Sequence, residues 1–236
     1  MSYAKIVFKN RSFVPIFSLL YLVICLSCST TNTTRKITSF YGNVKSVKED
    51  VYLADDVSGT PTPTMLVDTK IMEYDKNGRH LNTKHYRPDE KGSAYIWVYR
   101  YDENGVKTQV DGHFYNENSE INMKFTYQYD KKGRETEQLA FDKDGKIMSK
   151  LTYTYDRKGN KIKMRQVNHK GELLSTLQLK YDEHGNITEE ISYKPDGKEW
   201  YVDIFTYQFD VKNNWIKQIQ SRNGQLQISE REIKYY

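Results

Sequence analysis

The hexapeptide Tyr74-Asp75-Lys76-Asn77-Gly78-Arg79 returns in altered copies at Tyr101, Tyr129, Phe141, Tyr155 and Tyr181, with a worn version, Phe209-Asp210-Val211-Lys212-Asn213-Asn214, near the end. The glycine slots of these and of weaker turns fall at Gly78, Gly92, Gly105, Ser119, Gly133, Gly145, Gly159, Gly171, Gly185, Gly197, Asn213 and Gly224. Taken two at a time they mark six units of about 27 residues, a period at which one supersecondary unit buries its apolar face only against its neighbours. The letters of the turn name the unit. Asp at the first position of a type I turn accepts from backbone N–H groups further on, and Gly at the fourth adopts positive φ and forms a G1 bulge, so the chain re-enters an antiparallel partner. A calcium loop is a poor reading of Asp142-Lys143-Asp144-Gly145, which lacks the alternate oxygen ligands and the distal Glu.

Strands follow from what precedes each strong turn. Tyr95/Trp97/Tyr99/Tyr101, Met123/Phe125/Tyr127/Tyr129, Ser149/Leu151/Tyr153/Tyr155, Ser175/Leu177/Leu179/Tyr181 and Tyr201/Asp203/Phe205/Tyr207/Phe209 each recur at period two, interleaved with Lys124/Thr126/Gln128 and similar polar sets. This alternation puts one set on a buried face and the other in water. Return strands such as Arg134 to Phe141 and Asn186 to Tyr193 carry less apolar weight. The expected fold class is all-β, an antiparallel β-meander of about thirteen strands in tandem hairpin repeats, curled as a single sheet or an open barrel-like shell, because twist is built into strands and the aromatic face must be hidden. An outer-membrane barrel is disfavoured, since Lys124, Lys150, Lys180 and Glu189 would face lipid at a cost of up to a few kcal/mol each.

The first residues have a different composition. Residues 1–27 hold Lys5, Lys9 and Arg11, then an apolar run from Phe13 to Ile24, and read as a lipoprotein signal peptide. Leu26-Ser27-Cys28 resembles the lipobox of bacterial lipoproteins, which makes Cys28 the expected site of lipid attachment, followed by a flexible tether over 28–35. A capping strand and a Gly/Pro/Asp-rich loop are expected over 36–63, and the β-hairpin repeat domain over 64–236. The formal charge of +5 falls to 5 − 3 = +2 without the signal segment, with no basic stripe, so nucleic acid is a poor partner. Cys25 and Cys28 are the only cysteines. Neither a disulfide framework nor a cysteine zinc site fits the body of the chain.

Tyr129-Asp130-Lys131-Lys132-Gly133-Arg134 and Tyr155-Asp156-Arg157-Lys158-Gly159-Asn160 resemble the YD repeat of the RHS family, and Asn213-Asn214-Trp215 with Arg231 to Tyr236 is similar to the end of a group of repeat lipoproteins of Gram-negative bacteria. The resemblance covers about residues 64 to 236 and implies strands wound into a shell with binding or structural duty.

Little points to chemistry. His80, His85, His113, His169 and His184 form no metal-ligand spacing and read as surface residues, His80 and His85 lying on opposite faces of one strand. No nucleophile elbow or phosphate loop is present, so no catalytic residue, metal or cofactor is expected. The candidate ligand-binding residues are Trp97, Tyr99, Trp200, Tyr201 and Trp215, whose rings could stack on sugars or grip peptide; core is the preferred reading of the Tyr ladder, and Trp97 and Trp200, which break its pattern, are the better site candidates. The expected function is a non-catalytic lipoprotein of the bacterial cell envelope, anchored at the outer membrane on its periplasmic or surface face through its lipid and acting as a β-repeat binding or structural scaffold for glycan or protein. The alternative is a carbohydrate-active enzyme with a carboxylate pair in a groove of the sheet.

Overall fold

The computed structural model describes residues 40–88, 94–116 and 119–236. The signal segment, Cys28, the tether and Gly92 lie outside the described residues. Fourteen strands run in order: Val44–Val57 (β1), Thr60–Tyr74 (β2), His80–Tyr86 (β3), Ala94–Tyr101 (β4), Lys107–Asn116 (β5), Ser119–Tyr129 (β6), Glu135–Phe141 (β7), Ile147–Tyr155 (β8), Lys161–Asn168 (β9), Leu173–Tyr181 (β10), Ile187–Tyr193 (β11), Glu199–Phe209 (β12), Trp215–Arg222 (β13) and Gln225–Tyr235 (β14). Each pairs antiparallel with its neighbours in the chain, and β14 pairs with β1, closing the sheet into a barrel.

The single antiparallel meander is what the hairpin pattern predicts; its closure is not. Residues 54–63, read as a loop, continue β1 and β2 around a two-residue turn at Ser58 and Gly59, both at positive φ. That adds the fourteenth strand. β1 therefore caps no free edge: it pairs with β14 from Val44↔Tyr235 to Ala54↔Leu226, and closure leaves no edge to cap. The YD-repeat reading is corrected with it. The recurring motif is local hairpin chemistry, and here it builds one closed fourteen-stranded barrel rather than a repeat shell.

The turns at Gly78, Gly105, Gly133, Gly159, Gly185 and Asn213 connect β2–β3, β4–β5, β6–β7, β8–β9, β10–β11 and β12–β13, so these six lie at one end of the barrel, while the copy at Phe141 connects β7–β8 at the other. In the first, the Gly78 N–H donates to the Asp75 carbonyl at 2.9 Å, and Asp75 Oδ1 accepts from the N–H groups of Asn77 and Arg79. Gly78 sits at φ 80°, and the register shifts at the adjoining Glu73/Tyr74. The turn aspartates thus hold backbone, as their letters predict.

A lateral brace was not legible in the motif. The tyrosine ending each of β4, β6, β8 and β10 donates its hydroxyl to the first carbonyl of the preceding strand: Tyr101 to His80, Tyr129 to Lys107, Tyr155 to Glu135 and Tyr181 to Lys161, at 2.5–2.9 Å. In β12 the terminal residue is Phe209, and Tyr207 donates instead, to the Ile187 carbonyl. The worn turn has a separate task, because Asn214 binds both the Tyr41 backbone and the Tyr235 hydroxyl, tying the entering chain to β14. Replacing Tyr181 with Phe is expected to cost about 0.5–1.5 kcal/mol in urea unfolding, with the same change at Tyr193 costing less, since its hydroxyl is exposed and only weakly bonded at 3.5 Å.

The outer face carries cross-strand ion pairs, Lys180–Glu189, Lys150–Glu137, Arg100–Asp111 and Lys217–Glu230. Exposed pairs of this kind add little stability, but they are the charged outward faces that the alternation predicts.

Candidate functional site

The inward face is the part of this fold with unusual chemistry. Eight strands make a barrel that side chains fill, and sixteen or more leave an aqueous channel, so fourteen strands enclose more space than opposite walls can close. The three clusters of buried apolar residues agree with this, each drawn from adjoining strands: Trp97, Val110, Phe125 and Ala140 on β4–β7; Phe40, Val44, Val47, Met72 and Tyr74 at β1–β2; and Met164, Leu177 and Leu179 on β9–β10. The buried core is thus divided into three patches around the wall.

Between these clusters the wall is ionic. Glu49 lies between Lys70 and Arg231 at 2.7 and 2.8 Å, joining β2, β1 and β14. Burial raises its carboxyl pKa, but the two cations outweigh burial and hold it down at about 2. Glu135 on β7 is shared by Lys107 and Lys161, each at 2.7 Å, and is likewise held at about 2 against the effect of burial. The two ammonium groups lie over the faces of Tyr127 and Tyr153, 4.0 and 4.1 Å from the ring centres. Such cation–π contacts strengthen when desolvated.

The third group sits on β11–β13. Glu190 and Asp203 are register partners, and Arg222 forks onto both oxygens of Asp203 while lying 3.9 Å over the Tyr201 ring. Glu190 has no such partner. Burial, and then the Asp203 charge, push its carboxyl up to about 8. These are two facing acids beside an aromatic ring, the arrangement a carbohydrate-active enzyme would use. However, Arg222 takes both Asp203 oxygens, which leaves one neutral acid where glycoside hydrolysis needs two working carboxyl groups.

The five aromatic candidates do not converge. Trp97 is only 3% exposed and belongs to the lining, with Tyr99 packed against it. Tyr99 also stacks on His80, 4.0 Å between ring centres. Trp200 and Tyr201 are adjacent on β12 at a register shift, their ring centres 5.7 Å apart: Trp200 is 45% exposed, whereas Tyr201 lies under Arg222. Trp215 is inside near the strong turns, beneath Arg231 at 3.2 Å. Trp97 depends on a residue the sequence reading passed over. A Cβ on Gly112 would stand 2.1 Å from the indole ring, so only glycine lets Trp97 lie flat on β5. Gly112→Ala is expected to cost about 1–3 kcal/mol through overpacking, and much less in a Trp97→Ala background, a non-additivity that a double-mutant cycle reads directly.

Two histidines are corrected. His80 and His85 are both buried on the inward side, not on opposite faces, because the bulge at Tyr74/His80 shifts the parity of β3. His80 stacks between Tyr74 and Tyr99, and burial lowers it to about 3, so it is neutral. His85 meets Asp68 at 3.2 Å. Among the described residues no cluster of three or more His, Cys, Asp or Glu is arranged to hold a metal. A cleft of about 420 Å³ opens between the β8–β9 and β10–β11 turns, but its Asp156 and Asp182 are already engaged by their own turn backbones.

No protein-family profile and no curated protein matches the chain. Similar solved structures include porin-like proteins from Bacteroides uniformis, with 12% identity over 83% of this chain and 99% of that one at TM-score 0.47, and from Bacteroides vulgatus, with 11% identity over 82% and 98% at TM-score 0.43. A domain from Vibrio parahaemolyticus named for outer membrane lipoprotein sorting has 12% identity over 84% of this chain and 88% of that one at TM-score 0.34.

Proposed function

We propose that this chain is a non-catalytic binding barrel of the bacterial cell envelope, held to a membrane by a lipid on Cys28, whose inner wall takes a glycan. The observation that carries the reading is a set of buried polar atoms on that wall that meet no protein partner: Trp97 Nε1, the Tyr127 hydroxyl, Gln138 Nε2 and Ser149 Oγ. An unmade hydrogen bond in such a position costs about 1–3 kcal/mol, so the wall is built for oxygen-bearing company, water or a hydroxylated ligand. A folded protein cannot reach a concave lining of this kind. An acyl chain fits it poorly, because covering three ionic groups with hydrocarbon would strip their solvation.

The lipobox-like residues support the anchor, and the charged outer face supports a barrel wall in water. Two experiments test the reading. Metabolic labelling with a clickable fatty acid should mark the wild-type chain and not Cys28→Ala. Saturable binding of oligosaccharides to the full chain should appear in titration calorimetry, whereas silence across neutral and acidic sugars together with specific capture of a protein would sink the glycan assignment.

A further inference from the structure

The end of the barrel that carries the Gly78 and Asn213 turns is also where the described residues begin. β1 starts there, with Ser46 opposite Glu73, and β14 finishes there, with Tyr235 opposite Val44. The residues just before β1 are fastened to that rim: the Tyr41 N–H donates to Asn214 Oδ1, and the Tyr236 N–H donates to the Asn43 carbonyl. Around this entry lies an apolar and basic patch. Val211 is fully exposed at the tip of its turn, in the slot that Lys76, Glu103, Lys131, Arg157 and Glu183 fill in the sister turns. Phe209, Tyr41 and Tyr236 are 41%, 44% and 51% exposed. Three exposed lysines stand among them. Lys212 lies 3.4 Å over the Tyr235 ring, and Lys45 and Lys76 approach the Tyr236 ring at 5.9 and 6.0 Å. The acids beside them are engaged: Asp75 holds Arg79, and Asp210 accepts from the Tyr235 hydroxyl and the Asn214 N–H. The opposite end exposes Val57, Ile147 and Trp200, but these stand apart on β1, β8 and β12.

We propose that this patch is the face on which the barrel sits against an anionic lipid bilayer, with Val211 and the tyrosine rings at headgroup depth and Lys45, Lys76 and Lys212 on lipid phosphates. The proposal rests on the reading of Cys28 as the lipid anchor and adds an orientation to it. Cys28 precedes Phe40 by 40 − 28 = 12 residues. That is at most about 43 Å of chain, so the bilayer that holds the lipid lies nearest this end. A lone exposed valine needs no partner. An apolar tip beside tyrosines, whose rings are apolar and whose hydroxyls are not, and beside long basic side chains is the combination that suits a membrane interface. A single acyl chain binds a membrane only marginally, and a basic patch is a second signal that steadies it. The Ser58–Gly59 corner then points away from the bilayer.

The test reads lysine reactivity in the full chain, reconstituted at low salt in phosphatidylcholine vesicles with and without phosphatidylglycerol. An amine-reactive acetyl ester labels the lysines, and mass spectrometry gives the rate at each. Lys45 and Lys212 should label about fivefold more slowly in the anionic vesicles, the equivalent of about 1 kcal/mol for a lysine near such a surface. Lys143 and Lys170, in turns at the opposite end, should be unchanged. The double variant Val211→Glu, Lys76→Glu should abolish the protection. Glutamate already fills the same turn slot at Glu103 and Glu183, so the fold tolerates both changes. The wild-type chain is checked in parallel for a clickable fatty acid on Cys28. Fatty acid present without protection at Lys45 and Lys212 overturns the patch and leaves the anchor. Protection without fatty acid keeps the patch and removes the anchor, and absence of both overturns both. Protection of Lys143 and Lys170 instead overturns the orientation. Protection that ignores both phosphatidylglycerol and the double variant overturns the headgroup contact.

Discussion

Replacing Glu49 with alanine is expected to remove about 3–5 kcal/mol of stability, the largest single effect in this molecule. The residue is one of the few groups joining β14, β1 and β2 through side chains, and its loss leaves Lys70 and Arg231 facing each other in a buried wall without their carboxylate. The same interaction sets an acid limit. The Glu49 carboxyl is held at about 2 in the fold, against an ordinary 4.5. A depressed folded pKa contributes stability that is complete above about pH 4.5 and lost as the pH falls toward 2. Glu135 behaves alike. Urea unfolding between pH 7 and pH 2.5 should therefore show wild-type stability falling steeply below pH 4.5, and Glu49→Ala, less stable throughout, falling less. A loss under 1 kcal/mol at pH 7 would show that the seam does not depend on this pair.

Glu190 is expected to act in the opposite sense. Its carboxyl is raised to about 8 by burial and by Asp203, so the folded state keeps a proton that the unfolded chain releases. A raised acid pKa costs nothing below about pH 4.5 and costs progressively more as the pH climbs toward 8. At pH 7 the penalty is roughly 3 kcal/mol by this linkage. Glu190→Gln keeps the shape and removes the proton, and should stabilise the barrel by up to that amount at pH 7–8 while doing little at pH 4. Identical unfolding curves for the two proteins at pH 8 would refute the assignment. A natural chain that retains so costly a group does so for something other than stability, which fits its place on the lumen wall.

How much of this was legible in the sequence can be argued from particular residues. Asp75 and Gly78 announce their turn because the chemistry is local, and the Tyr95/Trp97/Tyr99 alternation announces an inward face because period two is local as well. Closure was not legible. It depends on the summed curvature of fourteen strands and on β1 meeting β14 at the far end of the chain, which no window of residues contains. The segment around Pro61 and Pro63 misled for a related reason: its turn letters are real, but they occupy one two-residue corner at Ser58–Gly59, and the prolines lie within β2.

The site was less legible than the fold. Aromatic residues attract attention in a sequence, whereas Gln138 and Glu190 look like ordinary polar positions on weak return strands. Only the register that turns them inward distinguishes them. His80 was placed on the wrong face because one bulge reverses the parity of a strand. A missing side chain was the faintest signal of all: Gly112 sits outside every turn, and a non-turn glycine opposite a tryptophan was the one hint that an indole lies flat there.

The pairing of β1 with β14 has a consequence for how the molecule comes into being. All other strand pairings link neighbours in the chain, whereas Glu49 and Arg231 are 182 residues apart. As the polypeptide leaves the ribosome, hairpin after hairpin can zip onto a growing curved ribbon, yet both of its borders stay raw until the eleven residues of β14, Gln225–Tyr235, emerge. Joining distant ends is the slow, entropically costly step of such a topology. A nascent chain halted before that point would carry two sticky margins, so escort during translation matters more here than the modest length of the protein would suggest.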